Sequence, residues 1–262
     1  MTKKVLENAI RTCVERGDQA FVPYMMAGDG GIGTLKEQIL FLQQAGVTAI
    51  ELGIPFSDPV ADGPVIQQAG ARALAQGVTL RKVLKELRLF RDEVKVPLVL
   101  MLYLNPILRM GITEFVEECE ASGIAGLIVP DLPLEESGLL RDELGHTDIA
   151  LIQLVSLTSS PERIQKITAA GEGFIYAVTV NGITGVRSGF GDQLETHLEQ
   201  LKAVSPVPVL AGFGISTPEQ VRSIGAFADG VIVGSAIVDA FHRNDLATVE
   251  ALVKASKKEI VS

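Results

Sequence analysis

Short runs of β-branched and apolar residues, each followed by a longer stretch with helical spacing, alternate along the whole chain, and few folds accept that order. The predicted strands are Phe21 to Gly28, Thr48 to Ile54, Pro97 to Leu104, Gly126 to Asp131, Ala150 to Val155, Phe174 to Val180, Pro206 to Gly212 and Gly230 to Ser235. Runs this apolar fit strands buried on both faces, as in parallel sheets. The segments between them carry helix boundaries. Thr34 and Glu37 stand in capping-box register, with Ile39, Leu42 and Ala45 on one face and Gly46 as the stop. Ser160 caps a helix that begins at Pro161 and stops at Gly171, and Thr217 starts another in the same way.

Eight strands alternating with helices, with no linker rich in Pro, Ser or charge, predict an α/β fold: a single (β/α)8 TIM barrel in one domain spanning residues 1–262. Val5, Ile10 and Val14 add an extra N-terminal helix. The length of 262 residues suits this reading, since one such barrel takes about 250. The rival is an open doubly wound sheet, for which GDGGIG (Gly28 to Gly33) would be the glycine fingerprint. Its spacing does not match the dinucleotide pattern, so it reads as a loop after the first strand.

Charge and thiols narrow the function. There are 23 Lys and Arg against 32 Asp and Glu, a net charge of −9, with no basic run; binding to nucleic acid or to an anionic membrane is not expected. The longest apolar run, Val96 to Leu104, contains Pro97 and ends at Asn105 and Pro106, well short of the roughly 20 residues of a membrane span. The N-terminus mixes Lys3 and Lys4 with Glu7 and Glu15 and lacks a signal peptide's apolar core. Cys13 and Cys119 lie far apart, without His or Cys at ligand spacing, which points to a reduced, cytoplasmic chain with no metal site. His146, His197 and His242 fall in helical or connecting segments and are given no catalytic role.

Active sites of such barrels gather at the C-terminal ends of the strands. Side chains alternate across a strand, so in the second one Ile50, Leu52 and Ile54 face the helices while Ala49, Glu51 and Gly53 point into the barrel. Burial raises a carboxyl's pKa and suits it to exchange protons near neutral pH. The structural alternative pairs Glu51 with a cation on a neighbouring strand, but no other predicted strand contains Lys or Arg. In the next loop, Pro55 to Pro64, Asp58 reads as turn chemistry; Asp62 has the same alternative open, but meets Glu51 over one pocket if the loop folds back. NGITG (Asn181 to Gly185), GFGIS (Gly212 to Ser216) and VGSA (Val233 to Ala236) put glycines and a helix start at three successive strand ends. Each alone is ordinary turn geometry; together they suit a phosphate held by backbone N–H groups. Tyr24, Tyr103 and Tyr176, all in predicted strands, would line an apolar pocket with Phe213, core packing being the alternative for each.

Taken together, ELGIPFSDPVADGP, the DLP of Asp131 to Pro133, NGITG, GFGIS and VGSA stand in an order and spacing that resembles the tryptophan synthase alpha subunit family over nearly the whole chain. The resemblance implies a barrel that cleaves indole-3-glycerol phosphate into indole and glyceraldehyde 3-phosphate by a reversible retro-aldol reaction. It implies that Glu51 shuttles protons, that Asp62 stays ionised at the indole N–H, and that Tyr176 assists beside the substrate. The matching phosphate positions are Gly185, Gly214, Gly234 and Ser235. Tyr24, Met101, Tyr103, Ile128, Phe213 and Ile232 match residues around the indole ring, and Thr184 matches a loop-closing threonine that organises Asp62.

The implied partner is a beta subunit, in an alpha2beta2 heterotetramer, that uses pyridoxal phosphate (PLP) to join indole to serine. Pro55, Asp58 and Asp131 to Pro133 would face that partner, and this chain itself would need no cofactor. Three positions depart from the family pattern: Tyr24 where phenylalanine is usual, Gly30 where proline is common, and Met101 where leucine is common. They bear on pocket shape and on the stiffness of the first loop. Three other readings stay open: another phosphate-binding barrel enzyme, a stand-alone indole lyase, and a silent barrel that activates a PLP enzyme. Against the first, a synthase that forms the indole ring would need a strand lysine; against the last, Glu51 and Asp62 are both kept.

Overall fold

A computed structural model of the chain describes residues 3–156, 158–178, 190–212 and 214–258, with residues 190–193 described by backbone alone. Its strands are β1 (Ala20–Met26), β2 (Ile50–Gly53), β3 (Leu98–Met101), β4 (Ile124–Ile128), β5 (Ala150–Leu151), β6 (Gln153–Ser156), β7 (Ile175–Val178), β8 (Val209–Gly212) and β9 (Gly230–Val233). Every pairing is parallel, and the neighbours run β5-β4-β3-β2-β1-β9-β8-β7-β6. The two ends of that order, β5 and β6, are one stretch of chain interrupted only at Ile152. The sheet therefore returns to itself, and the expected barrel is present with one amendment: the fifth strand is two pieces. Ala150 and Leu151 pair with β4, and Gln153–Ser156 pair with β7. Strands tilt against a barrel's axis, so one strand meets its two neighbours at different heights. Between the pieces the Ile152 amide still donates to the Leu127 carbonyl at 2.9 Å.

The helices are α1 (Val5–Glu15), α2 (Leu35–Ala45), α3 (Pro64–Ala75), α4 (Leu80–Phe90), α5 (Leu104–Met110), α6 (Ile112–Ala121), α7 (Gly138–Leu144), α8 (Pro161–Ala169), α9 (Phe190–Val204), α10 (Pro218–Gly225), α11 (Ser235–His242) and α12 (Leu246–Ala255). Among the described residues no helix is long and apolar enough to cross a membrane. The expected caps at Ser160 and Thr217 are formed, the latter as a full capping box with Gln220. Thr34 is different. It makes no side-chain cap, because a one-turn 3-10 helix, Ile32–Thr34, leads into α2 and leaves Thr34 already helical. Gly31, at φ 105°, makes that entry, and the Thr34 hydroxyl donates back to its carbonyl at 2.9 Å. Tyr103, expected inside the third strand, lies beyond β3 as the residue preceding α5, where the Leu104 amide donates to the Asp131 carboxylate at 2.9 Å.

Two apolar layers follow from the alternation of side chains. Ile50, Leu52 and Ile54 pack outward against helices, with Leu35, Ile39 and Leu42 of α2 in the same layer. Ala20, Val22, Ala49, Val99, Phe174 and Leu210 fill the barrel, joined there by Leu6 and Ile10 of α1. The N-terminal helix is thus a plug in the barrel. Lys3 holds its start down through Glu172 at 2.9 Å, and the same carboxylate accepts from the Leu151 amide at 2.8 Å. With that end closed, the strands' opposite ends are left for chemistry.

Candidate active site

Glu51 enters the barrel from β2, as alternation predicts, and is 1% exposed. Among the described residues its Oε2 atom meets no hydrogen-bond partner. Burial, and after it the nearby charge of Asp62, pushes the Glu51 carboxyl up to about 8. At neutral pH it is mostly the neutral acid, which is the form a buried oxygen without a partner tolerates best.

Asp62 arrives from the loop that continues β2. Its amide bonds to the Pro59 carbonyl at 3.1 Å, and its own carbonyl accepts from Gln67 of α3 at 2.9 Å. Tyr103 fastens the loop from the neighbouring strand end: its hydroxyl oxygen accepts from the Ala61 amide at 2.9 Å and its hydroxyl donates to the Asp62 carboxylate. The Phe56 ring stacks on Tyr103 with centroids 5.1 Å apart. Burial raises Asp62 to about 6, and the Tyr103 hydrogen bond opposes that rise. The two carboxyls therefore divide at neutral pH, Asp62 mostly ionised and Glu51 mostly protonated, a separation that assigns unlike tasks to like groups.

Two more phenols flank Glu51. Tyr24 of β1 and Tyr176 of β7 are both buried, and each lies over a glycine of the next strand. A Cβ atom on Gly53 would collide with the Tyr24 hydroxyl, and one on Gly212 would meet the Tyr176 ring. Burial raises the Tyr24 phenol well above its ordinary value, helped by the charges of Asp62 and Glu51; burial and Glu51 do the same for Tyr176. Both remain hydrogen-bond donors. Ile128, Tyr176 and Ile232 belong to the inner apolar layer, with Met101 half-buried against it.

Backbone donors stand nearby. Gly234 precedes α11 and Ser235 is its first residue, so they belong to the turn whose N–H groups a helix leaves unpaired. A Cβ on Gly234 would lie 3.8 Å from the Cβ of Tyr24, which puts this helix start beside the carboxyl pair's pocket. Gly214, at φ 79°, has open space where a side chain would be. Gly185, Thr184 and Phe213 lie outside the described residues. On the surface, Asp58 and Asp131 are exposed, but Pro55 is buried within the chain; the loop's outer face is carried instead by residues such as Asp58 and Val60, the latter 86% exposed. Among the described residues no group of three His, Cys, Asp or Glu side chains is placed to hold a metal ion. The Tyr103 bond to Asp62 and the Phe56 stack have no signal in local sequence pattern, because they join a loop to a different strand.

The fold is a (β/α)8 barrel with a pair of carboxyls, one buried and one half-buried, at the ends of its strands, where enzymes of this architecture carry their active sites, and such a pair is chemically able to exchange protons. A sequence profile of the tryptophan synthase alpha chain matches residues 10–261. The chain belongs to that family, whose known role is cleavage of indole-3-glycerol phosphate, and it is a lyase of tryptophan biosynthesis. It is 49% identical over 250 residues to the tryptophan synthase alpha chain of Bacillus thuringiensis subsp. konkukian, covering 95% of this chain and 97% of that one. Among solved structures, tryptophan synthase subunit alpha from Legionella pneumophila superposes with a TM-score of 0.87 at 33% identity, over 97% of this chain and 98% of that one. A chain of aminoacrylate-bound tryptophan synthase from M. tuberculosis gives a TM-score of 0.87 at 30% identity, over 98% of this chain and 100% of that one.

Proposed function

We propose that the chain works as one barrel domain in which Glu51 both gives and takes the proton of the cleavage while Asp62 balances the charge on the indole ring. The observation that carries this reading is the placement of Glu51 buried inside the barrel with Asp62 on the loop that follows its strand, tied there by Tyr103; burial raises Glu51, to about 8, further than Asp62, to about 6. Glu51 begins as the acid and gives its proton to indole C3. The ring becomes cationic at its N–H, where the Asp62 carboxylate faces it. The emptied Glu51 then takes the proton of the hydroxyl on the carbon attached to C3. As that carbonyl forms, the C–C bond breaks and its electrons return to the ring, releasing indole and glyceraldehyde 3-phosphate. One proton is given and one recovered, so the enzyme ends as it began. Tyr176, beside Glu51, assists from the opposite side.

In the same reading, the phosphate is held by backbone N–H groups at Gly214, Gly234 and Ser235, with Gly185 contributing from the sixth loop. The indole ring lies among Tyr24, Met101, Tyr103, Ile128, Phe213 and Ile232, with Thr184 organising Asp62. The partner is a PLP-dependent beta subunit in an alpha2beta2 heterotetramer, and PLP belongs to that subunit. Exposed Asp58 and Asp131 face it; Asp58 lies on the loop that carries Asp62, and Asp131 steadies the α5 start next to Tyr103. Two free thiols, Cys13 and Cys119, support a reducing, cytoplasmic setting. The test is indole release from indole-3-glycerol phosphate, with and without a beta subunit. Slow release alone and faster release with the partner is expected; no release under either condition overturns the assignment.

A further inference from the structure

Tyr24 carries a hydroxyl that the chemistry above leaves unused. Alternation along β1 puts Tyr24 on the same face as Ala20 and Val22, which fill the barrel, and it is in register with Glu51 of β2; its ring also touches the apolar layer around the barrel. Its hydroxyl occupies the place that a side chain at Gly53 would take. Gly53 is the next inward position after Glu51 on the same strand. The hydroxyl therefore stands one strand step mouthward of the point where the Glu51 side chain leaves β2. Tyr24 is buried, with its Cβ beside Gly234, so the ring has little room to leave.

Glu51 passes through an ionised state between giving its proton to the ring and taking one from the substrate hydroxyl. An ionised carboxylate buried at this depth needs a donor. The titratable groups that face Tyr24 are Glu51 of β2, Asp62 of the following loop, Tyr103 at the end of β3 and Tyr176 of β7. Asp62 repels a second negative charge and Tyr103 already donates to Asp62; of the two remaining phenols, Tyr176 is given to the substrate in the reading above, and Tyr24 is the one with no task of its own.

We propose that Tyr24 is a positioning residue for the proton transfer: its hydroxyl donates to the Glu51 carboxylate while that group is ionised, and so holds it aligned to receive the substrate's proton. The proposal rests on the role given to Glu51 above. No proton leaves Tyr24. Burial and the two carboxylates keep its phenol protonated, so it serves as a donor and never as the acid. Lining the indole pocket is a separate task, and phenylalanine at this position would keep that task alone.

The experiment compares wild type with Tyr24→Phe in indole release across pH, separating kcat from KM. Loss of one hydrogen bond to the charged form raises the Glu51 pKa, so the alkaline limb of kcat moves up by about one pH unit. At pH 7 kcat falls roughly 3- to 10-fold, with KM for indole-3-glycerol phosphate within about twofold because the ring remains. Gly53→Ala, whose methyl displaces the hydroxyl, is expected to move the same limb in the same direction. An unaltered pH profile and kcat in Tyr24→Phe, or a change confined to KM, overturns the proposal while leaving an active wild type's mechanism intact. A wild type that releases no indole overturns the assigned chemistry and this inference with it.

Discussion

The two ends of the barrel bury their residues equally and to opposite effect. At the plugged end, Leu6 and Ile10 are 1% and 0% exposed among apolar neighbours, and each such side chain contributes roughly 1.5–3 kcal/mol by leaving water. At the mouth, Glu51 is just as buried, at 1%, yet there burial opposes ionisation and leaves Oε2 without a partner among the described residues. The same loss of solvent that stabilises one end costs stability at the other. What the mouth gains is a carboxyl protonated where an ordinary one would be ionised, the property the proposed proton transfer draws on.

Substitutions at each end test this opposition. The largest effect is expected from Glu51→Gln, which should lower kcat by roughly 10²- to 10⁴-fold, as loss of a general acid and base does. The same change should stabilise the fold, in a pH-dependent way. The native carboxyl binds its proton up to about 8 where the unfolded one loses it near 4.5, so native stability falls as pH rises through that interval. Glu51→Gln removes the fall. Its advantage should be absent below pH 4.5 and level off above pH 8 at no more than about 5 kcal/mol, at 1.36 kcal/mol per pH unit. Urea melts across pH check it; a variant less stable than wild type at pH 8.5 would contradict the cost assigned to the mouth.

Asp62→Asn comes next, with kcat expected to fall roughly 10²- to 10³-fold. Because Asp62 helps to raise Glu51, the alkaline limb of the remaining activity should move to lower pH, which a kcat profile would detect. At the plugged end the pattern should invert. Leu6→Ala is expected to cost about 2–5 kcal/mol of stability while kcat and KM stay at wild-type values; a matching loss of kcat in folded protein would show that the ends are not separate. The smallest effect is expected at Asp131→Ala, which removes the acceptor of the Leu104 amide and should lower stability by about 1 kcal/mol. A modest rise in KM should accompany it, since Tyr103 stands at that helix start.

Much of this was legible because the relevant physics is local. Alternation along β2 turns Glu51 inward whatever the rest of the chain does, and Ser160 and Thr217 cap helices within three residues of themselves. The same local reading failed at Thr34, where Gly31 opened a 3-10 entry that outcompeted the side-chain cap. It also failed at Tyr103, which looks like strand but precedes a helix whose first amide bonds to Asp131 on another loop. The contacts that shape the site, the Tyr103 hydrogen bond to Asp62 and the packing of Tyr24 and Tyr176 over Gly53 and Gly212, cross between strands. No single window of residues contains both partners.

The interruption at Ile152 gives the cylinder a seam. Around the rest of the wall each strand is zipped to both neighbours, but the fifth holds β4 by its first two residues and β7 by its last four. A wall that parts without melting should part there, as a sleeve opens along its stitching. The Leu151 and Ile152 amides, bonded to Glu172 and Leu127, are the stitches on one side. Since Lys3 grips that same glutamate, it ties off the seam, and Lys3→Ala should speed hydrogen exchange at Leu151 before it speeds exchange anywhere in β1.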